Sequence, residues 1–146
     1  MKTLEVCPVS KEVVDENKTR VIAFFVIVVA VAGIYFRNYY VLALLAVDFA
    51  IRAFTGWKNA SVLGLTARVT AAVLHIPNKP CDAAPKKFSA GIGMFFSLGM
   101  ALFQFVQLYT VAAAIGAALL MCAFLECCFG YCLGCKVYSL LQLFRR

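Results

Sequence analysis

Charged side chains are scarce in this chain, and recognisable catalytic motifs are absent from it. Only 14% of the 146 residues are Asp, Glu, Lys or Arg, whereas 64% are hydrophobic and the mean hydropathy is +0.89. A soluble domain of this length is usually close to half apolar, so the excess predicts that a lipid bilayer surrounds much of the chain. His75 is the single histidine. There is no Ser–His–Asp order, phosphate-binding loop or dinucleotide fingerprint, and none of the enzyme classes they mark is indicated.

Four apolar segments are long enough to cross the bilayer as helices, which takes about 17–25 residues each. They span residues 20–36, 39–55, 88–108 and 111–130. The sequence therefore predicts an all-α integral membrane protein with a charged arm, 1–19, followed by a four-helix membrane domain, 20–146. The segment 77–87 holds three prolines and is predicted to be a loop.

A fifth helix is predicted between the second and third spans, over about residues 61–76. Leu65, Val69 and Val73 recur there at helical spacing, while threonines and an arginine lie on the other faces. Ser61 is a good N-cap residue for such a helix. The pattern is typical of an amphipathic helix that lies at the membrane interface.

The positions of the basic residues predict the orientation in the membrane. Of 14 Lys and Arg, Arg37 alone lies between the first and second or the third and fourth spans, and the other 13 lie elsewhere. Because positive residues concentrate in cytoplasmic segments, both termini are predicted to be cytoplasmic. The basic residues that mark the cytoplasmic side also account for the net charge of +7. No basic patch interleaved with aromatic residues accompanies it, so the lipid bilayer is the predicted partner and nucleic acid is not.

Four cysteines and one carboxylate crowd into the stretch ECCFGYCLGC, residues 126–135. Cys132 and Cys135 form a CxxC pair, a spacing that permits a disulfide on a helix. If the chain bends at Gly130 or Gly134 and a new helix begins near residue 135, the helix N-terminus would favour a thiolate. If the fourth span runs unbroken, its carbonyl end opposes ionisation. Alternatively the cysteines only pack, since Gly130 and Gly134 fit a small-xxx-small helix interface.

Two further thiols, Cys7 and Cys81, fall on the same predicted cytoplasmic side, where cysteines are kept reduced. Either one is predicted to act as a shuttle or resolving thiol for the CxxC pair. A soft metal ion such as Cu(I) or Zn is an alternative occupant, with Cys128, Cys132 and Cys135 as candidate ligands. No other cofactor is predicted, although a quinone beside the aromatic residues of the spans is a further alternative.

Two carboxylates lie inside the predicted spans, where a charge costs about 2.5–3.5 kcal/mol. Asp48 and Arg52 stand four positions apart, so they are interpreted as a structural ion pair. Glu126 has no partner at helical spacing and is predicted to move protons. The structural alternative for Glu126 is a pair with Arg52 or Lys86 across the bundle.

These residues together resemble a bacterial hydrophobic membrane family catalogued as domain of unknown function 4395. The shared marks are Cys7-Pro8, Val14-Asp15-Glu16-Asn17, Asp48 with Arg52, Pro85-Lys86-Lys87-Phe88, Glu126, Phe129-Gly130 and Cys132-x-Gly134-Cys135. The resemblance covers nearly the whole chain and implies an integral protein of the bacterial inner membrane. It also implies that Cys7, Cys132 and Cys135 belong to one pattern, but it carries no mechanism over.

Three functions are consistent with the sequence. The first is a membrane thiol protein that exchanges disulfides or transfers persulfide sulfur at the cytoplasmic face. Its partner would be a soluble thioredoxin-like protein or a sulfurtransferase. The second is a transporter or channel for a small sulfur-containing anion, which would need a homo-oligomer or more helices. The third is a structural membrane module in which the cysteines pack or bind a soft metal.

Overall fold

The computed structural model describes residues 13–54, 61–77 and 79–145, and this part of the chain is all-α except for two three-residue strands. The all-α class is therefore confirmed. In chain order the elements are β1 (Val13–Asp15), α1 (Glu16–Tyr35), α2 (Tyr39–Phe54), α3 (Val62–Val73), β2 (Pro80–Asp82), α4 (Ala83–Phe105), α5 (Tyr109–Phe129) and α6 (Leu133–Phe144).

The same order of elements occurs twice. A short strand, two long helices and a short helix form each half, β1-α1-α2-α3 and β2-α4-α5-α6. The halves join through antiparallel pairing of β1 with β2, in which Val14 is opposite Cys81. The first long helix of each half packs against the second long helix of the other, α1 against α5 and α4 against α2, and against the short helix of its own half.

This arrangement gives the bundle two unlike ends. The strands, the starts of α1 and α4, the ends of α2 and α5, and the short helices α3 and α6 gather at one end, which we call the sheet end. Within the described residues, the other end carries two three-residue turns, 36–38 and 106–108. The middle residue of each turn is left-handed, with φ of 51° at Arg37 and 64° at Gln107. The Arg37 guanidinium lies 4.5 Å from the centre of the Tyr109 ring and so links the first turn to the start of α5.

Small residues let the helices approach closely near the turns 36–38 and 106–108. A Cβ added at Gly33 would lie 2.6 Å from a methyl group of Leu42, so a larger residue would push α1 and α2 apart. The Gly33 carbonyl accepts a hydrogen bond from Nε2 of buried Gln104 at 3.1 Å. Leu42, Ser97 and Met100 are completely buried. The interior of this part of the bundle is therefore filled by side chains.

The outside of the bundle is apolar. Phe24, Leu44, Phe95 and Phe124 are each more than half exposed, as expected where lipid replaces water. By length and composition, three helices could cross a membrane: Glu16–Tyr35, Ala83–Phe105 and Tyr109–Phe129. These features support membrane character. The helix α2 has 16 residues within the described part of the chain and falls below the length of a span on this criterion.

Two predicted boundaries are wrong. The segment 77–87 is not all loop, because β2 begins at Pro80 and α4 begins at Ala83 rather than at residue 88. Pro85 is tolerated because it lies in the first turn of α4, where backbone N–H groups have no helical acceptor. Likewise α1 begins at Glu16 rather than at residue 20, inside the segment predicted as the arm. Polar first turns are compatible with a helix that starts beyond the lipid.

Candidate functional site

The structure brings Asp48 and Arg52 together on α2, near the sheet end. Arg52 Nε lies 3.0 Å from Asp48 Oδ2, and both side chains are buried. The Arg52 guanidinium also lies over the Phe49 ring, 4.4 Å from its centre. Two charges that are buried side by side neutralise each other, which lowers the cost of placing them at this depth.

The second oxygen of Asp48 holds the start of α3. Oδ1 accepts hydrogen bonds from the Ser61 hydroxyl at 2.7 Å and from the Leu63 backbone N–H at 3.2 Å. Ser61 Oγ in turn accepts the N–H of Gly64 at 3.0 Å, so Ser61 is the N-cap of α3. Sequence reasoning identified the cap but not its link to Asp48. No local spacing could have shown this link, because the partners are 13 residues apart.

The helix that carries the cysteine cluster is broken, not continuous. α5 ends at Phe129, and Gly130 follows in the left-handed conformation with φ of 65°. Its N–H donates to the Glu126 carbonyl at 3.0 Å, which closes the helix end. A new helix, α6, begins at Leu133. Of the two geometries that the sequence left open, the chain adopts the bent one, with the new helix starting two residues earlier than expected.

Cys132 is the N-cap of α6, in the position that Ser61 has on α3. Its Sγ accepts the backbone N–H of Cys135 at 3.3 Å. A sulfur at this place receives a helix N-terminal amide, which favours the thiolate over the thiol. The cap explains the place of Cys132 but not the cysteine at 135, because any residue except proline would supply this backbone N–H.

The surroundings of the two thiols separate their acidities. The Cys135 thiol donates a hydrogen bond to Cys132 and so lowers the pKa of Cys132. The Ser89 hydroxyl, the Cys135 amide and the Lys86 ammonium act in the same direction. Together they lower this pKa to about 6, although burial opposes the shift. The same hydrogen bond, together with burial, raises the pKa of Cys135. At neutral pH the pair therefore holds a thiolate at Cys132 and a thiol at Cys135.

A cavity of about 80 Å³ lies beneath Cys132, between the helices at the sheet end. Cys132, Glu126 and Arg52 line it, so the structure gathers three of the residues singled out from the sequence. Lys86 also lines it, and its Nζ donates to Thr19 Oγ1 at 2.6 Å. Cys135 is half-buried in the first turn of α6, and its thiol is hydrogen-bonded to Cys132.

Ser89 is a member of the site that sequence reasoning missed. A Cβ added at Gly134 would lie 2.7 to 2.8 Å from the backbone and side chain of Ser89, which shows how closely α6 approaches α4. The residue was overlooked because α4 was expected to begin at residue 88. A start at Ala83 places Lys86 and Ser89 three positions apart on one helical face.

Two other predicted site residues, Cys81 and Cys128, lie outside this arrangement. Cys81 is half-buried in β2, at the sheet end, and Cys128 is exposed near the end of α5. The candidate metal ligands are not assembled, since no group of three His, Cys, Asp or Glu side chains in the described residues could hold a metal ion. Cys7 lies outside the described residues.

The fold and the site define a class: an all-α, membrane-type protein in which a cysteine caps a short helix above a small charged cavity. The chain belongs to the family described as Domain of unknown function (DUF4395), whose family model matches residues 14–143. The resemblance noted from the sequence is thus confirmed. Comparison with curated proteins and with solved structures gives no match.

Proposed function

We propose that the chain crosses the bacterial inner membrane four times, through α1, α2, α4 and α5. Three of these helices meet the length and composition of a span. α2 extends about 24 Å at 1.5 Å per residue, and its outer face is apolar, with Leu44 exposed by 69% and Val47 by 56%. Between its neighbours it runs most of the depth of the bundle, which supports counting it as the second span.

The short helix α3 lies at the membrane interface in this proposal. Its apolar side chains Leu65, Val69 and Val73 are 58–70% exposed, whereas small Ala67 and Ala71 are buried against the bundle. A helix whose larger apolar side chains face outward beside polar threonines suits the boundary between lipid and water.

The sheet end faces the cytoplasm in this proposal, because the basic residues that the structure describes lie in or beside elements at that end, except Arg37, which lies in a turn at the opposite end. Labelling of a variant whose only cysteine is Cys7 tests this orientation in intact cells. An impermeant thiol reagent should leave Cys7 unlabelled, and ready labelling from outside would reverse the topology.

The function that we propose is thiol chemistry at the cytoplasmic face, carried out by Cys132 and Cys135. One observation carries the proposal: Cys132 Sγ occupies the N-cap of α6 and accepts the Cys135 N–H. A cysteine chosen only for packing has no need of an amide donor, whereas a nucleophilic thiolate is stabilised by one.

The reaction follows from the roles of the two thiols. The Cys132 thiolate attacks a disulfide of the partner and forms a mixed disulfide, and the partner's leaving sulfur departs as a thiolate. The Cys135 thiol then loses its proton and attacks Cys132 Sγ, which releases the second partner thiol and leaves a Cys132–Cys135 disulfide. Two electrons pass from the pair to the partner, and the reverse sequence reduces the pair. Glu126 lines the same cavity and is the proposed proton carrier.

The proposed partner is a soluble thioredoxin-like protein or a sulfurtransferase. Cys81, which is also at the sheet end, and Cys7 are the proposed shuttle thiols. A small aromatic disulfide serves as the probe, with mass spectrometry of the peptide that contains both thiols. A Cys135→Ser chain should accumulate the mixed disulfide at Cys132, whereas the parent chain should proceed to the internal disulfide. Equal accumulation in both chains would refute the resolving role of Cys135.

Transport of a small sulfur-containing anion is the second candidate. The buried cations beside the cavity, Arg52 and Lys86, favour it. The filled interior of the bundle towards the turns 36–38 and 106–108 opposes it for a single copy, because Ala30, Leu42 and Met100 are completely buried there. Passage would therefore run between copies in a homo-oligomer. Binding of the anion without transport requires no such path.

A further inference from the structure

We propose that the cavity beneath Cys132 is a binding subsite for the oxyanion end of a small sulfane-sulfur donor, with Arg52 and Lys86 as its anchors. Thiosulfate is the simplest member of this class. The inference rests on the proposed thiol function of Cys132 and names the substrate that the thiolate would attack. The sulfonate would lie against the two cations and the outer sulfur against Cys132 Sγ.

The first observation is an unsatisfied donor. Arg52 is 4% exposed, and while its Nε faces Asp48, its Nη2 is buried with no hydrogen-bond partner in the residues that the structure describes. A buried charged donor without an acceptor is costly. Arg52 lines the cavity, and an oxyanion there would supply the missing acceptor with the geometry that guanidinium groups favour.

The second observation is a buried ammonium that forms no ion pair with a described carboxylate. Lys86 is 5% exposed and donates to the Thr19 hydroxyl. No described carboxylate lies within 4.0 Å of it to form an ion pair. An ammonium has three N–H donors, and the hydrogen bond to Thr19 is the one that the described residues accept, which leaves donors for a ligand. A lysine buried without a counter-ion is unfavourable, and an anion in the cavity would supply one.

The size of the cavity limits the ligand. A volume of about 80 Å³ is well below the roughly 150 Å³ of an apolar cavity that binds benzene. A nucleotide, a peptide or a quinone ring does not fit such a space, whereas an ion of a few heavy atoms does. To react with the neighbouring Cys132 thiolate, this ion must present an electrophilic sulfur. An oxyanion that carries a sulfane sulfur meets both conditions.

The reaction balances without an external oxidant. The Cys132 thiolate attacks the outer sulfur of thiosulfate, a new S–S bond forms at Cys132, and the S–S bond of thiosulfate breaks with its electron pair leaving on sulfite. One thiolate and one dianion thus become one persulfide anion and one dianion. Glu126 in its protonated form is placed to give its proton to the departing sulfite. A partner thiolate would then take the outer sulfur and restore the Cys132 thiolate.

The test uses the full-length chain in detergent with thiosulfate as the probe. Intact-mass analysis should show one added sulfur atom, and peptide mapping should place it on Cys132. Lys86→Met removes the ammonium at nearly constant volume and should lower the rate of persulfide formation by about tenfold or more. Lys87→Met is the matched control, because Lys87 is not among the residues that line the cavity, and it should react like the parent chain.

A second measurement covers the case in which Lys86→Met fails to fold. Sulfite, which has no sulfane sulfur, should compete for the subsite and slow alkylation of Cys132 by neutral iodoacetamide in the parent chain. The subsite is refuted if Cys132 is alkylated at low pH but thiosulfate forms no persulfide and sulfite does not slow the alkylation. The proposed thiol function would then still stand. If Cys132 alkylates only as an ordinary thiol does, the proposed function and this inference fall together.

Discussion

Cys132 Sγ lies 3.3 Å from the backbone nitrogen of Cys135 and caps helix α6. In the other half of the chain, Ser61 Oγ lies 3.0 Å from the nitrogen of Gly64 and caps α3 in the same way. The two halves thus use one structural device with two different atoms. The Ser61 hydroxyl also donates a hydrogen bond to Asp48, whereas the sulfur of Cys132 can act as a nucleophile.

Replacement of Cys132 separates its capping role from its chemical role. Below the Cys132 pKa of about 6, where the thiolate contributes little, Cys132→Ser should retain the cap and unfold at nearly the same temperature as the parent chain. Cys132→Ala should lose about 1 kcal/mol, the usual cost of removing an N-cap acceptor. Both variants should lose thiol exchange. Thermal unfolding in detergent is the measurement, and equal destabilisation by serine and alanine would show that Cys132 does not act as a cap.

The Asp48–Arg52 pair should be mutually dependent. Arg52→Met leaves a buried carboxylate without its cation, which costs about 3–5 kcal/mol. Asp48→Asn combined with Arg52→Met removes both charges and keeps an oxygen for the hydrogen bonds from Ser61 and Leu63. The double variant should therefore give a higher folded yield than Arg52→Met alone. A double variant no better than that single one would show that the two charges do not neutralise each other.

The approach of α6 to α4 should control the reactivity of Cys132. Gly134→Ala adds a Cβ that would lie 2.8 Å from Ser89 Cα, so α6 must shift. Cys132 would then move away from Ser89 and Lys86, its pKa should rise towards the ordinary thiol value, and its alkylation at neutral pH should slow. Gly91→Ala is the matched control, because nothing lies within 4 Å of the added Cβ. Equal slowing in both variants would contradict the assignment.

The folded state should gain stability as the pH rises towards the ordinary thiol pKa. The pKa of Cys132 is lowered to about 6 in the folded chain, whereas an unfolded cysteine has a pKa of about 8.5. The folded state therefore binds fewer protons in this window, and the free energy of unfolding rises with pH across it. The contribution is complete above the unfolded value and is lost as the pH falls through about 6.

Cys132→Ser isolates this effect. The difference in unfolding free energy between the reduced parent chain and the variant should grow from about pH 6 to about pH 8.5. Denaturant unfolding of both chains across this range measures the difference. A constant difference would mean that Cys132 has the same pKa in the folded and unfolded states.

The sequence predicted those features that depend on local pattern. Ser61 as a cap and Asp48 with Arg52 follow from spacing along one helix, and the structure has both. The bend at Gly130 could be stated only as one of two alternatives, because glycine permits a left-handed residue without requiring it. Packing of α6 against α4 decides between them in the folded chain.

The features that escaped prediction depend on contacts between distant segments. The hydrogen bond from Ser61 to Asp48 and the closeness of Gly134 to Ser89 join separate elements, and no periodicity shows either. The early start of α4 was missed because three prolines near residues 77–87 indicated a loop. The first turn of a helix accepts proline, however, and β2 takes up the residues before it.

The pH dependence of alkylation at Cys132 and Cys135 tests the central claim most directly. Each thiol is followed by mass spectrometry after a short pulse of iodoacetamide, with half-buried Cys122 of α5 as a reference. The account predicts half-maximal reaction at Cys132 near pH 6, with Cys135 unreactive throughout the neutral range. Half-maximal reaction of both thiols at or above the ordinary value of about 8.5 would contradict it and leave the cysteines as packing residues.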